Sequence, residues 1–419
     1  MTDNVILAEN CIYSTDSSKT GLNNNILVCG TSGCGKTMSV AEPRLLETKN
    51  GSLIITLTKR RLVKKYWNLF KMRGYNIWDL NFANPDQSLV SYDPIKYIKS
   101  HQDITFLAKA IVNADIDPDT VKKDPYWDNA AISLISAIIS HEMMTKGGRA
   151  SMAGVVNTFK SLNFQFTNSG FETDLDDYFE KLKKNNPTAF AASCWNTFRS
   201  VAEKTASCIY STACNAFDKI FTPSRLELFD KGGSVDFERL ANEKTILFIT
   251  TSAVNPSLNC FVNIFYSQVF KTLFEYAEEL DDGKLPLPVH VLCDDFATGS
   301  KIVNFPEYIS IFREKGISVT LLLQSESQLE GMYGKTEATT IINNCDTYLY
   351  FGSMDLTTAK NISQRLDESL DEVLYMPIGD VIVFRRGQYP IKTRRYNITE
   401  DNTYKALSQC KKDNIKQAS

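Results

Sequence analysis

NILVCGTSGCGKTMSVAEPRLLE (25–47) opens as a short apolar run, passes through a glycine-rich turn and continues at helical spacing. Within it GTSGCGKT (30–37) satisfies GxxxxGK[ST] in full, in the strand-then-helix context that makes the pattern informative. Gly30, Gly33 and Gly35 permit backbone shapes that a side chain would forbid, so the N–H groups of Thr31, Ser32, Cys34 and their neighbours can point at phosphate oxygens. Lys36 supplies the cation for the β- and γ-phosphates, and the Thr37 hydroxyl is an oxygen ligand for Mg²⁺. The helix that follows adds a favourable partial charge at its start. The segment therefore predicts a P-loop, with ATP and Mg²⁺ as cofactors, on an α/β fold.

A P-loop needs an acidic partner at the end of a neighbouring strand. VHVLCDDF (289–296) provides one, because apolar residues run straight into Asp294 and Asp295. Asp294 is expected to hold Mg²⁺ through water, and Asp295 to orient or deprotonate the attacking water. Asp294 lies 258 residues beyond Lys36, far more than a compact nucleotide fold places between these two strands.

What fills that gap is visible in the periodicity. Short β-rich runs occur before residue 100, at 25–30 and 52–58, and again after 236, at 245–250, 289–295, 318–323, 346–352 and 380–386. Between them FLAKAIV (106–112), WDNAAISLISAIISHEMM (127–144), MAGVVNTFKSL (152–162) and NTFRSVAEKTASCIYSTACNAF (196–217) fit helical spacing. Pro43 should kink or end the first part of the P-loop helix. The expected fold is an α/β nucleotide-binding domain with a mainly parallel sheet, in two pieces (1–100 and 231–419), split by an inserted all-α domain (101–230).

Composition agrees and excludes other classes. The 419 residues are 43% hydrophobic and 23% charged, with a net charge of −3. Disorder, collagen and coiled coil are excluded, as is nucleic-acid binding through overall positive charge. The ten cysteines form no CxxC pair and the three histidines have no metal-ligand spacing, so reduced thiols and no structural zinc are expected. No apolar run approaches the roughly 18–20 residues of a membrane span. A cytoplasmic protein is the expectation.

The segment from 289 to 352 resembles the motor domain of type IV secretion coupling proteins, the TraG/TraD class of conjugative ATPases. The motifs that carry the resemblance are DDF (294–296), REKGI (313–317), LLLQS (321–325), QLEGMYG (328–334) and NNC (343–345). YDP (92–94), YWDNAA (126–131) and MPIGDVIVFRRGQYPIKTRRY (376–396) extend the likeness over nearly the whole chain. The resemblance implies a RecA-like motor, a homo-hexameric ring with nucleotide at subunit interfaces, and substrate threading the centre. It makes Arg313 a trans-acting arginine for a neighbour's γ-phosphate and Gln324 a γ-phosphate sensor. It also implies single-stranded DNA and a relaxase or other secreted protein as partners, together with secretion-channel components.

Three departures stand out. Asp295 replaces the family's usual glutamate, and LTKRRL (57–62) replaces an Asp-x-Lys-Gly-Glu element. Only 29 residues precede Gly30, where the family carries a membrane anchor. MTDNVILAEN reads as a native start, so a variant that reaches the membrane through a partner is expected. Two functions compete: a coupling ATPase, or a nucleotide-binding cargo adaptor with little hydrolysis.

Two basic tracts are candidates for a DNA-tracking surface. KRRLVKKYWNLFKMRG (59–74) has seven Lys or Arg and no acid, with an apolar stripe at helical spacing and Arg60, Arg61, Lys64 and Lys65 outside it. RRGQYPIKTRR (385–395) reads as an exposed hairpin. A solvated face is the alternative for the first tract. Trp127, Trp195 and Phe198 are expected in the helical core.

Overall fold

The computed structural model describes residues 3–58, 60–113, 125–167, 170–230, 233–252, 259–296 and 301–417. It divides into two compact units: 1–80 with 236–253 and 269–419, and 81–235 with 254–268. The expected helical block at 101–230 lies within the second unit, which also takes in 81–100, 231–235 and 254–268.

In chain order the strands are β1 (Asn4–Ala8), β2 (Cys11–Ser14), β3 (Ile26–Cys29), β4 (Ser52–Leu57), β5 (Asn76–Asn81), β6 (Phe164–Thr167), β7 (Gly170–Thr173), β8 (Thr245–Thr250), β9 (Val289–Cys293), β10 (Ile317–Leu323), β11 (Thr347–Tyr350), β12 (Asp380–Arg385) and β13 (Ile391–Arg394). Nine of them form one sheet in the order β13-β12-β11-β3-β10-β9-β4-β8-β5. The pairs from β11 through β3, β10, β9 and β4 to β8 are parallel, and β12 and β13 close that side as antiparallel strands. Strands β3, β4, β8 and β9 are buried along their full length, as parallel strands covered on both faces must be.

This order brings distant motifs to one edge. The P-loop leaves the C-terminal end of β3 and the acidic pair leaves that of β9, with β10 between them. The P-loop helix starts as a π turn over Thr37–Ala41 and becomes α-helical at Glu42–Glu47 with Pro43 in its first turn. The missing N–H of Pro43 explains the change, and a π turn is a common feature of functional sites.

Helix Arg61–Met72 buries Leu62, Val63, Tyr66, Leu69 and Phe70. At about 1.5–3 kcal/mol for each large apolar side chain, this stripe fixes the helix firmly. Its basic residues are less available than their spacing suggests. Arg60 pairs with Asp79 at 2.7 Å, and Lys65 pairs with Glu42 at 2.5 Å while lying over the Tyr404 ring. Arg73 donates to the carbonyls of Leu45, Leu46 and Thr48. Arg61 and Lys64 are exposed. These partners lie far away in sequence, which is why a helical wheel does not reveal them.

Among the described residues from 101 to 230 the second unit is helical apart from one hairpin, β6–β7, where spacing alone predicted helices throughout. The four-residue strands are too short to register as alternation among helical neighbours. The run at 196–217 is also two helices, Phe190–Arg199 and Glu203–Ile220. Arg199 ties the end of the first to the hairpin, donating to the Phe171 carbonyl at 2.5 Å and pairing with Asp176 at 2.8 Å. Trp195 and Phe198 are buried as expected, and Trp127 is half-buried. The YDP motif serves this unit's structure: Tyr92 donates to the Gln268 side chain, and the buried Asp93 carboxylate accepts from the Ile95 and Met152 amides.

Candidate nucleotide site

Gly30 directly follows β3, and its N–H donates to the Leu323 carbonyl of β10. A Cβ at Gly30 would stand 2.6 Å from the Phe351 Cβ, so no larger residue fits this crossing. Thr31 then donates to the Gly352 carbonyl beyond β11, pinning the loop on its other side. Ser32 and Gly33 form the exposed turn of the loop, with Gly33 at φ +80°. Gly35 adopts φ +99°, and a Cβ there would meet the Arg395 guanidinium at 2.6 Å.

Lys36 is buried, 7% exposed, and its ammonium donates to the Gly30 carbonyl and, at 3.0 Å, to that of Thr31. The Thr37 hydroxyl donates to Asp294 Oδ2 at 3.1 Å. This contact joins the P-loop to the acidic strand end across 257 residues of chain. Burial raises the Cys34 thiol pKa, an effect the Lys36 charge only partly opposes, so the thiol stays protonated and unreactive.

Asp295 is half-buried and sits at φ +55°. The left-handed region costs a non-glycine residue about 1 kcal/mol, and such strain collects at functional sites. Phe296, next in the chain, stacks on Tyr333 with ring centroids 6.0 Å apart, and the Tyr333 hydroxyl accepts from the Ile302 amide. The DDF and MYG motifs are therefore packed against each other. Gln324 directly follows β10, between the two strand ends that carry Lys36 and Asp294, and its carbonyl is 3.8 Å from Cys29 Sγ.

Lys36, Thr37, Asp294, Asp295 and Gln324 thus share the C-terminal edge of the sheet. Arg313 does not join them. It belongs to helix Phe305–Lys315, is exposed, and precedes the N-terminal end of β10 at the opposite edge, where it donates to the Ser17 carbonyl at 3.5 Å.

Sequence reasoning missed Arg395. It directly follows β13, and its guanidinium lies against Gly35 and donates to the Cys34 carbonyl at 2.9 Å. Its place in a basic tract gave no sign that it turns inward on the P-loop. Other cations of that tract are paired too: Arg386 with Asp346 at 3.0 Å and Lys392 with Glu368 at 2.5 Å. Among the described residues no group of three or more His, Cys, Asp or Glu could hold a metal ion, so any cation site here depends on hydroxyl and phosphate oxygens as well.

Residues 3–369 match the family described as Type IV secretory system Conjugative DNA transfer. The chain belongs to this family. Among curated proteins, the type IV secretion system-coupling protein VirD4 of Bartonella quintana is 25% identical over 248 residues, covering 59% of this chain. The VirD4 of Bartonella henselae matches to the same extent, and the chain spans 37% of the length of each. Among solved structures, the plasmid coupling protein TrwB in complex with ADPNP superposes with a TM-score of 0.66 at 17% identity, covering 90% of this chain and 86% of that one. TrwB in complex with ADP and Mg²⁺ gives 0.64 at 18% identity, covering 89% and 85%. VirB4 of Thermoanaerobacter pseudethanolicus gives 0.53 at 11% identity, covering 96% and 98%. The shared fold is thus a P-loop α/β sheet with a helical insertion. Among the described residues, no helix is long and apolar enough to cross a membrane.

Proposed function

We propose that this chain is a coupling ATPase of a conjugative type IV secretion system, turning ATP hydrolysis into movement of a relaxase–DNA complex or protein cargo towards the channel. The observation that carries the reading is the Thr37–Asp294 contact at 3.1 Å, in a chain of the conjugative DNA-transfer family. A hydroxyl and a carboxylate so close together are oxygen donors of the kind a hard cation takes. Bound there, Mg²⁺ would be held by Thr37 and Asp294 and would neutralise phosphate charge.

The protein groups have separable tasks. The loop amides from Ser32 to Lys36 bind the phosphates, while that of Thr31 stays on the Gly352 carbonyl, and the Lys36 ammonium exchanges its carbonyl partners for phosphate oxygens. Asp295 orients the attacking water and takes its proton. Gln324, at the strand end between them, senses the γ-phosphate. Arg313 is too remote to serve its own P-loop, and in a ring it would reach the nucleotide of a neighbouring copy.

ATP turnover with and without single-stranded DNA, on wild type and Lys36→Ala, tests this. DNA-stimulated turnover abolished by the substitution is expected. Nucleotide binding without turnover at ring-forming concentrations would instead make the chain a cargo adaptor.

A further inference from the structure

The N-terminal edge of the sheet, opposite the P-loop, holds a pocket of about 280 Å³. Its cations are Arg44, Lys284 and Arg313, and its acids are Asp3 and Asp16. The acids are already engaged. The Asp3 carboxylate accepts from the amides of Lys49 and Asn50 and from the Asn50 side chain. Asp16 caps a short helix and pairs with Lys19.

Arg44 is different. Its Nε is buried without a hydrogen-bond partner, and the Asp3 and Glu47 carboxylates act on its charge only at longer range. The contrast with Arg73 is informative, because Arg73 covers three carbonyls at the end of the same P-loop helix. A guanidinium offers five donors in a planar fork suited to phosphate, and it is poorly stabilised where they stay unused. His290 also lines the pocket, but Ser318 and Thr320 hydroxyls occupy both its ring nitrogens, and burial keeps it neutral. Lys284 and Arg313 are exposed.

We propose that this pocket is a second phosphate-binding site, with Arg44 as its buried anchor and Lys284 and Arg313 as its exposed cations. It shares no residue with the P-loop edge; as a site for a free anion it stands whether or not the chain hydrolyses ATP, and as a site for a neighbour's phosphate it rests on the ring reading of Arg313 given above. The phosphate is either a free anion or one carried on the nucleotide of a neighbouring copy. The pocket's size suits one or two phosphate groups rather than a whole nucleotide.

Calorimetric titration of inorganic pyrophosphate into monomeric Lys36→Ala protein, whose P-loop is disabled, tests the proposal. Saturable binding is expected, at least tenfold weaker when Arg44→Met is added and intermediate with Arg44→Lys. Adding Arg313→Ala should weaken it as well, which keeps the test decisive if Arg44→Met fails to fold. If the monomer does not bind pyrophosphate, the neighbour's phosphate is the ligand provided that Arg44→Met lowers ATP turnover of the assembled protein at least tenfold with nucleotide affinity unchanged. Pyrophosphate binding indifferent to Arg44 and Arg313, or no binding together with unchanged turnover, would overturn the proposal. Pyrophosphate binding by the Lys36→Ala protein, together with no ATP turnover by the wild type, would overturn the ATPase reading and leave this site standing.

Discussion

The two edges of the central sheet carry cations in opposite ways. At the C-terminal edge Lys36 is buried yet satisfied, donating to the Gly30 and Thr31 carbonyls, and Thr37 meets Asp294 across the gap between β3 and β9. At the N-terminal edge the Arg44 Nε is buried without a partner, and Arg313 keeps only a 3.5 Å contact with a carbonyl. The first edge is a self-sufficient binding loop. The second leaves the Arg44 Nε without a hydrogen bond, its charge met only at longer range by Asp3 and Glu47, and a buried donor left unused is costly. The lesson is that one fold places cations at both edges of its sheet, only one of which announces itself by motif.

Asp294→Asn strikes the first edge hardest. It keeps the shape but removes the charge next to Thr37, and a loss of about a hundredfold or more in ATP turnover is expected, with a raised Mg²⁺ requirement. Steady-state turnover across a Mg²⁺ titration measures both. An unchanged Mg²⁺ dependence would break the link between the two strand ends.

Gly35→Ala should do less, and through geometry alone. The backbone at φ +99° resists a side chain, and the new Cβ would displace the Arg395 guanidinium. Strain of about 1–3 kcal/mol predicts nucleotide affinity weakened roughly tenfold, read by fluorescent-nucleotide titration. Arg395→Ala should ease the clash in the double variant and recover part of that loss.

The smallest effect belongs to His290 at the second edge. Burial first, and the Arg44 charge second, hold its pKa well below the ordinary imidazole value of 6.5. The folded state therefore binds fewer protons than the unfolded chain once the pH drops below about 6.5. The neutral ring imposes no such penalty above that value, and stability falls as the pH is lowered towards the depressed folded pKa. Urea unfolding at several pH values should show His290→Gln losing up to about 1.4 kcal/mol per pH unit less than wild type in this window. Parallel slopes would mean that the second edge does not repel a proton.

How much of this was legible beforehand follows from how the information is spread along the chain. The P-loop could be read because strand, turn and helix lie in one stretch, and the acidic pair because it ends an apolar run. Pro43 gave away the break in the P-loop helix. The hairpin β6–β7 was hidden by its brevity, and the break after Arg199 depends on contacts with Phe171 and Asp176. The ion pairs of the basic tracts were not legible because their partners, Glu42, Asp79, Asp346 and Glu368, come from other parts of the sequence. Arg44 had no signal, being an ordinary residue in a helix whose lack of a partner exists only in three dimensions.

The most direct test of the central claim is subunit mixing. Lys36→Ala and Arg313→Ala proteins, each inactive alone, are combined at ring-forming concentration and assayed for DNA-stimulated ATP turnover. The account predicts recovery of a measurable fraction of wild-type turnover, because in the mixed ring some intact P-loops face an intact Arg313 from the next copy. Turnover no higher than that of the separate variants would contradict it, since the two edges would then not meet across subunits.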